Sequence, residues 1–177
     1  MLTVGILVSL LVLPLFGFLV YFPCLNGKPI FDDQDVLRAQ KDFRWKFSWI
    51  MSQPRPLTLM SYGVTQRWPG TLRSVHVGNV VLHIGCGLVV ERIALAIGAD
   101  AGIACLAALL YVVHPFAVNT VGYMSGRASL VSSLFGLSGV LAILAGWPVL
   151  VVPALMLSIL GKEDGAGYAV VYLALMF

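Results

Sequence analysis

Apolar residues run from Met1 to Tyr21 without a charge. About twenty such residues are enough to cross a bilayer. A cleaved signal peptide would need a basic start and a shorter apolar core. That reading is the lesser alternative, and the run predicts a retained transmembrane helix over 3–22. Polar sequence then occupies 23–73, and beyond it the chain is apolar again, with short breaks. The breaks are Gly98-Ala99-Asp100, His114-Pro115 with "NTVGYMSGRAS", Gly146-Trp147-Pro148, and "GKEDGAG". They predict helices over 75–97, 101–113, 130–145 and 149–160, and a partial sixth over 167–177. The stretch 149–160 is short for a span, and the sixth stops at Phe177 after about ten apolar residues. No second domain or repeat emerges, so 1–177 reads as a single transmembrane domain. Its fold class is all-α, a polytopic helix bundle.

The polar stretch has its own pattern. Within it, "DDQDVLRAQKDF" predicts a short helix, with aspartates placed to cap its first N–H groups. Next, "FRWKFSWIM" alternates basic and aromatic residues. That suits a membrane–water boundary, as a lipid-headgroup cradle or a plain aromatic belt. A second short helix is predicted over "PLTLMSYGVTQRW", between Arg55-Pro56 and Pro69-Gly70. The loop 23–73 is therefore expected to be ordered and surface-lying, with short amphipathic helices.

Composition agrees with a membrane protein. Hydrophobic residues make up 59% and charged residues 11%, and mean hydropathy is +0.94. A soluble domain of this length could not bury so much apolar surface. The net charge of +3 comes without a dense basic stripe, which argues against nucleic acid as a partner. Cys24, Cys86 and Cys105 show no metal-ligand spacing.

If each helix crosses once, successive loops alternate sides. The loop 23–73, the turn 114–127 and the turn at Lys162-Glu163-Asp164 then share one face. Glu91 to Asp100 and Gly146 to Pro148 share the other. Most ionisable groups collect on the first face. Lys162 has Glu163 and Asp164 beside it, and those acids are expected to pair with it or with the Arg-rich loop. In the second helix His76, Asn79 and His83 form a polar stripe, best read as interhelical hydrogen bonding. There is no inverted repeat and no buried mid-helix charge pair to suggest a transporter or channel. The positive-inside rule would put the basic loop in the cytoplasm.

Several phrases occur in a telling order. "FDD" follows helix one, then comes "RPLTLMSYGVTQRWPG", and "HVGNVVLH" opens helix two. "HPFAVNTVGYMSGRASLVSSLF" follows helix three and "LGKEDGAGYAVV" follows helix five. Together, over roughly residues 25–175, they resemble the membrane half of the transmembrane-and-tetratricopeptide O-mannosyltransferases, of the GT-C class. Asn119 stands where that family usually has Glu, and Thr65 where it usually has Asn. The family's membrane domain has about twice as many helices, followed by repeats, so the expectation is a truncated GT-C-like membrane domain.

The resemblance implies a fold, a side and a chemistry. The aspartate-bearing loop becomes extracytoplasmic, facing the periplasm or the ER lumen, in a multi-pass protein of the bacterial inner membrane or the ER. The chemistry is transfer of a sugar from a polyprenyl-phosphate carrier to a hydroxyl. Asp32 and Asp33 become the catalytic pair, one of them, with Asp33 favoured, accepting the hydroxyl proton or holding a metal that does, and adjacent like charges can raise one pKa towards a useful range. The alternative for both is a helix cap on a solvated loop. Arg127 and Lys162 become the lipid-phosphate cations, the alternative being interfacial anchors. His114, Arg55 and Glu163 are supporting groups. No metal site is assigned, although a divalent cation is the one cofactor such chemistry admits. Expected partners are membrane lipids, the lipid-linked sugar donor and other membrane subunits. The competing reading is a catalytically inactive accessory subunit derived from this class.

Overall fold

A computed structural model describes residues 2–41, 43–66 and 72–177. Asp42, and the segment with Arg67 and Pro69-Gly70, lie outside the described residues. No strand occurs among the described residues. Helix α1 (Leu2–Tyr21) runs into a 3-10 turn, Phe22–Asn26. The polar stretch forms α2 (Asp33–Lys41), α3 (Phe47–Met51) and α4 (Pro56–Gln66). Then come α5 (Leu72–Ala96), α6 (Ala101–Val113), α7 (Ala117–Gly122), α8 (Arg127–Leu144), α9 (Val151–Gly161) and α10 (Tyr168–Met176).

Among the described residues, three stretches are long and apolar enough to cross a membrane: Val8–Asn26, Leu72–Ala96 and Arg127–Leu144. Ala101–Val113 and Pro148–Gly161 are apolar but shorter. At the helical rise, the 13 residues of α6 cover about 20 Å, short of a hydrocarbon core of roughly 30 Å.

The breaks have local causes. Asp100 caps α6, its Oδ1 accepting from Gly102 N at 2.8 Å and Ile103 N at 3.0 Å. Gly98 just before it has φ +95, a left-handed step that suits glycine at a helix end.

Helix α1 packs against α5 and α6 around Leu13, Tyr21, Val80, Ile84, Ala108 and Val112. Ser9, early in α1, reaches Glu91 late in α5. Tyr21, at the other end, donates to Val112 O at 3.1 Å at the end of α6. So α1 runs antiparallel to α5 and parallel to α6. Helix α8 packs between α5 and α9, with Ser158 donating to Ser132 O at 2.8 Å. Tyr172 of α10 donates to Gly136 O of α8 at 2.7 Å. Such interhelical bonds average only roughly 0.6 kcal/mol in a membrane, so close apolar packing must carry most of the cohesion. Leu11, Leu15 and Leu19 on α1, Leu106 and Leu110 on α6, and Val152 and Met156 on α9 all face outwards. That spacing of four residues gives each helix an apolar outer stripe, which suits lipid and which water tolerates poorly.

The consequence is polarity at one end. Helices α1, α6 and α9 finish there and α5, α8 and α10 begin there. The chain from Phe22 to Gln66, the turn containing α7, and the turn after α9 all meet at that end.

Candidate functional site

The two aspartates share a sequence position but not an environment. Asp33 opens α2 and is 1% exposed. Its Oδ2 accepts from Ile30 N at 3.2 Å and its Oδ1 from Ser125 N at 2.9 Å. One carboxylate therefore closes its own turn and ties that turn to the segment before α8. Its oxygens are held by backbone N–H groups rather than by a cation. Asp33 N also donates to Ile30 O at 3.1 Å, so Ile30 to Asp33 is a tight turn. Phe31 sits in it at φ +50, a left-handed conformation that costs a bulky residue about 1–3 kcal/mol. The Asp33 bonds offset that cost. The turn leaves Phe31 80% exposed, with its ring edge-on to Tyr123 at 6.1 Å. Asp32 is exposed, and its carboxylate has no hydrogen bond or ion pair among the described residues.

Arg127 lies beneath this turn as the first residue of α8, also 1% exposed. Its Nε donates to Asn79 Oδ1 at 2.8 Å. Its Nη1 donates to Thr65 Oγ1 at 3.0 Å and Ser61 O at 3.1 Å, and its Nη2 to Val75 O. The guanidinium also lies over the Tyr62 ring, 4.6 Å from its centre, a favourable cation–π placement. Gly78 makes the approach feasible, since a Cβ there would meet the Arg127 Nη2. Asn79 completes the knot, its Nδ2 donating to Tyr123 O at 2.7 Å and Val121 O at 3.3 Å. Tyr62 donates to Met124 O at 2.6 Å, and burial pushes its phenol well above the ordinary tyrosine range. One cation thus joins α4, α5 and α8. A phosphate clamp or a snorkelling anchor needs an accessible guanidinium, and this one is spent on protein acceptors.

Two further cations near this end, Arg55 and Lys162, are also engaged. Arg55 meets Glu163 through two bonds, Nε to Oε2 at 2.9 Å and Nη2 to Oε1. That pairing holds the Glu163 carboxyl down at about 2. Lys162 Nζ lies 2.7 Å from Asp164 Oδ2 and 3.3 Å from Ser129 Oγ, and is about one quarter exposed. Lys162 can exchange its acidic partner for a ligand far more readily than Arg127 can. His114 is exposed at the end of α6, stacks on Phe116 at 5.7 Å, and accepts from Phe116 N at 3.3 Å. Asn119 is exposed on α7, while Thr65 belongs to the Arg127 knot.

Of the polar stripe on α5, two members make interhelical bonds. They are Asn79, as above, and His83, whose Nε2 lies 3.0 Å from Val112 O. His83 also stacks on Tyr111 at 5.0 Å. His76 is buried without a hydrogen bond of ordinary geometry, and the Gly27 and Gly122 backbones face it loosely.

Sequence reasoning missed Glu91. The helix expected over 75–97 contains it, but it is grouped there with the polar positions of the opposite face, whereas Glu91 is 1% exposed within α5. Its Oε1 accepts from Ser9 Oγ, and its Oε2 lies 3.7 Å from Arg92 Nη2, too far for a hydrogen bond. The signal was a Glu-Arg pair inside the apolar run "GLVVERIALA", since an ionisable residue in such a run needs a partner inside the bundle.

Among the described residues no group of three His, Cys, Asp or Glu could hold a metal ion. Asp32 and Asp33, one exposed and one buried, do not present their carboxylates to a common cation, so the divalent-cation reading does not fit them. Compared with known proteins, the chain matches no family model, no curated protein and no solved structure.

Proposed function

We propose that the chain is a GT-C-like membrane glycosyltransferase domain, or part of one. It would move a sugar from a polyprenyl phosphate to a hydroxyl acceptor at the polar end of the bundle, facing the periplasm or lumen. The single observation that favours this is the exposed Asp32, unpaired among the described residues, on a strained turn that Asp33 pins to the chain before α8. A base needs a free carboxylate in a fixed place. In the transfer, the acceptor oxygen forms a bond to the anomeric carbon. The bond from that carbon to the phosphate oxygen breaks, and the phosphate leaves with the electron pair. Asp32 takes the acceptor proton, Lys162 faces the departing phosphate, and Asp33 positions the turn.

A second reading is favoured by the engaged cations. Arg127 is locked inside protein, and Arg55 and Lys162 both have acidic partners. An accessory subunit of a membrane complex, no longer catalytic, would have its phosphate-binding cations engaged in this way. Sugar transfer from a radiolabelled polyprenyl-phosphate donor, measured in membranes containing the wild-type chain, Asp32→Asn or Asp33→Asn, decides between them. The transferase reading expects transfer above that of membranes lacking the chain. It also expects a loss of more than a hundredfold for Asp32→Asn, with insertion unchanged, as for a removed general base. Normal transfer by Asp32→Asn would sink the catalytic assignment. No transfer by the wild-type chain, together with a stoichiometric partner on mild-detergent purification, would favour the subunit.

A further inference from the structure

Two exposed aromatic rings at the polar end sit in opposite electrostatic settings. Phe31 is followed by Asp32 and Asp33. Phe47, 79% exposed, is preceded by Arg44 and Lys46, both exposed and without an ion pair among the described residues. Asp42, which adjoins them in sequence, lies outside those residues. The segment from Phe43 to Met51 is a built plate rather than a loose strand. Phe43 packs edge-on to Trp45 at 4.8 Å and to Trp49 at 5.8 Å. It is also pressed against Gly63 of α4, where a Cβ would collide with its ring. Helix α4 is in turn bolted to the bundle. Thr58 donates to Gly161 O at 2.7 Å, and Tyr62 donates to Met124 O. The plate therefore has a fixed height, beside the ends of helices long enough to cross a membrane.

We propose that the face formed by Arg44, Lys46 and Phe47 docks on anionic phospholipid headgroups. The two cations would meet the phosphates, and Phe47 would insert just below them. Charge complementarity selects this occupant. Cations beside an apolar ring match the boundary between phosphate and acyl chain, whereas the exposed Asp32 carboxylate beside Phe31 would be repelled there. Each cation at an anionic surface enriches the lipid roughly fivefold, equivalent to about 1 kcal/mol, and the attraction decays with salt. The proposal is independent of any transfer activity.

The test uses the full chain carrying Trp68→Phe and Trp147→Phe, so that Trp45 and Trp49 report from the plate. It is reconstituted in phosphatidylcholine vesicles with a small fraction of lipid brominated near the headgroup. The bromine is carried on either phosphatidylglycerol or phosphatidylcholine. Stronger quenching by the glycerol lipid, several-fold at equal mole fraction, is expected. The double variant Arg44→Gln, Lys46→Gln should equalise the two lipids, and Phe47→Ser should weaken both. Should the double variant fail to insert, a salt titration of the parent decides, since the preference must fall as ionic strength rises. Equal quenching in the parent would reduce the plate to an ordinary aromatic belt and overturn the proposal. No quenching, or loss of the preference on adding millimolar inorganic phosphate, would overturn it too. The first would take the plate away from lipid, and the second would make it a free-phosphate site.

Discussion

Arg127 offers the sharpest division between a ligand-binding cation and a structural one. Replacing it with Met keeps most of the volume and removes every donor. Asn79 Oδ1 then has no partner, while Thr65 Oγ1 and Ser61 O each lose a charge-assisted bond. A buried acceptor left unsatisfied costs about 1–3 kcal/mol, and the lost cation–π contact costs about 1 kcal/mol more. Relief from burying a charge works the other way, because a buried cation is itself expensive. The net expectation is a loss of about 2–4 kcal/mol, at the large end for single substitutions. Arg127→Lys should fall between, because an ammonium has three donors and cannot span Asn79, Ser61 and Val75 at once. Unfolding of the purified chain in mixed micelles, followed by denaturant titration, measures the loss. Amide exchange over 58–66 and 119–127 locates it. A cycle with Asn79→Leu sharpens the argument. If Arg127 and Asn79 act as one unit, the double variant should be less destabilised than the sum of the singles. Wild-type stability in Arg127→Met, with lost binding of a short polyprenyl phosphate such as citronellyl phosphate, would refute this reasoning and restore the clamp.

The other predictions use the same contrasts. Asp33→Ala should cost about 1–3 kcal/mol by orphaning Ser125 N and Ile30 N and leaving the strained turn unsupported, while Asp32→Ala should leave the denaturant midpoint within experimental error. Glu91→Gln should insert and fold near normally, because an amide can still accept from Ser9. Glu91→Ala should lose about 1–2 kcal/mol, read by the same denaturant titration, and equal losses in both would refute the bond to Ser9. The Arg55–Glu163 pair should respond to acid. Glu163 is held below its ordinary value of 4.5, at about 2, so the pair contributes fully above that ordinary value and fades as pH falls towards about 2. The thermal midpoints of wild type and Glu163→Gln should therefore differ at neutral pH and converge at the acid end, and a gap that widened on acidification would contradict the sign.

The periodicity of this chain was highly legible where only apolar burial mattered. The break at Gly98-Ala99-Asp100 is readable because an aspartate caps and a glycine turns, both local effects. The stripe His76-Asn79-His83 signalled polar partners, yet it could not say that Asn79 bridges a carbonyl and a guanidinium. Arg127 shows why. Its neighbours come from positions 61, 65, 75 and 79, and a residue 48 positions from Asn79 in sequence is placed by tertiary packing alone. The face expected from alternating loops was identified without knowing which charges would be exposed. Glu91 was missed because a charged pair near the end of an apolar run reads as a solvated helix end, whereas its partner Ser9, 82 positions away, is brought to it by tertiary packing alone.

The pair Asp32-Asp33 carries the same point into function. In sequence, two adjacent carboxylates suggest one shared task, through mutual repulsion or a common metal. At the start of a helix, however, consecutive side chains diverge by about 100°, so one can be buried while its neighbour faces out. Burial then assigns the work. Asp33 spends both oxygens on backbone donors, which fixes the turn and holds Phe31 in a conformation it would otherwise leave. Asp32 spends neither. A carboxylate that is free and held on a pinned turn is what proton abstraction requires, and the Asp33 bonds are what keep it there. The two residues are therefore best read as a support and the group it supports, and exchanging Asn into each position separates those roles: stability should move with Asp33, and chemistry with Asp32.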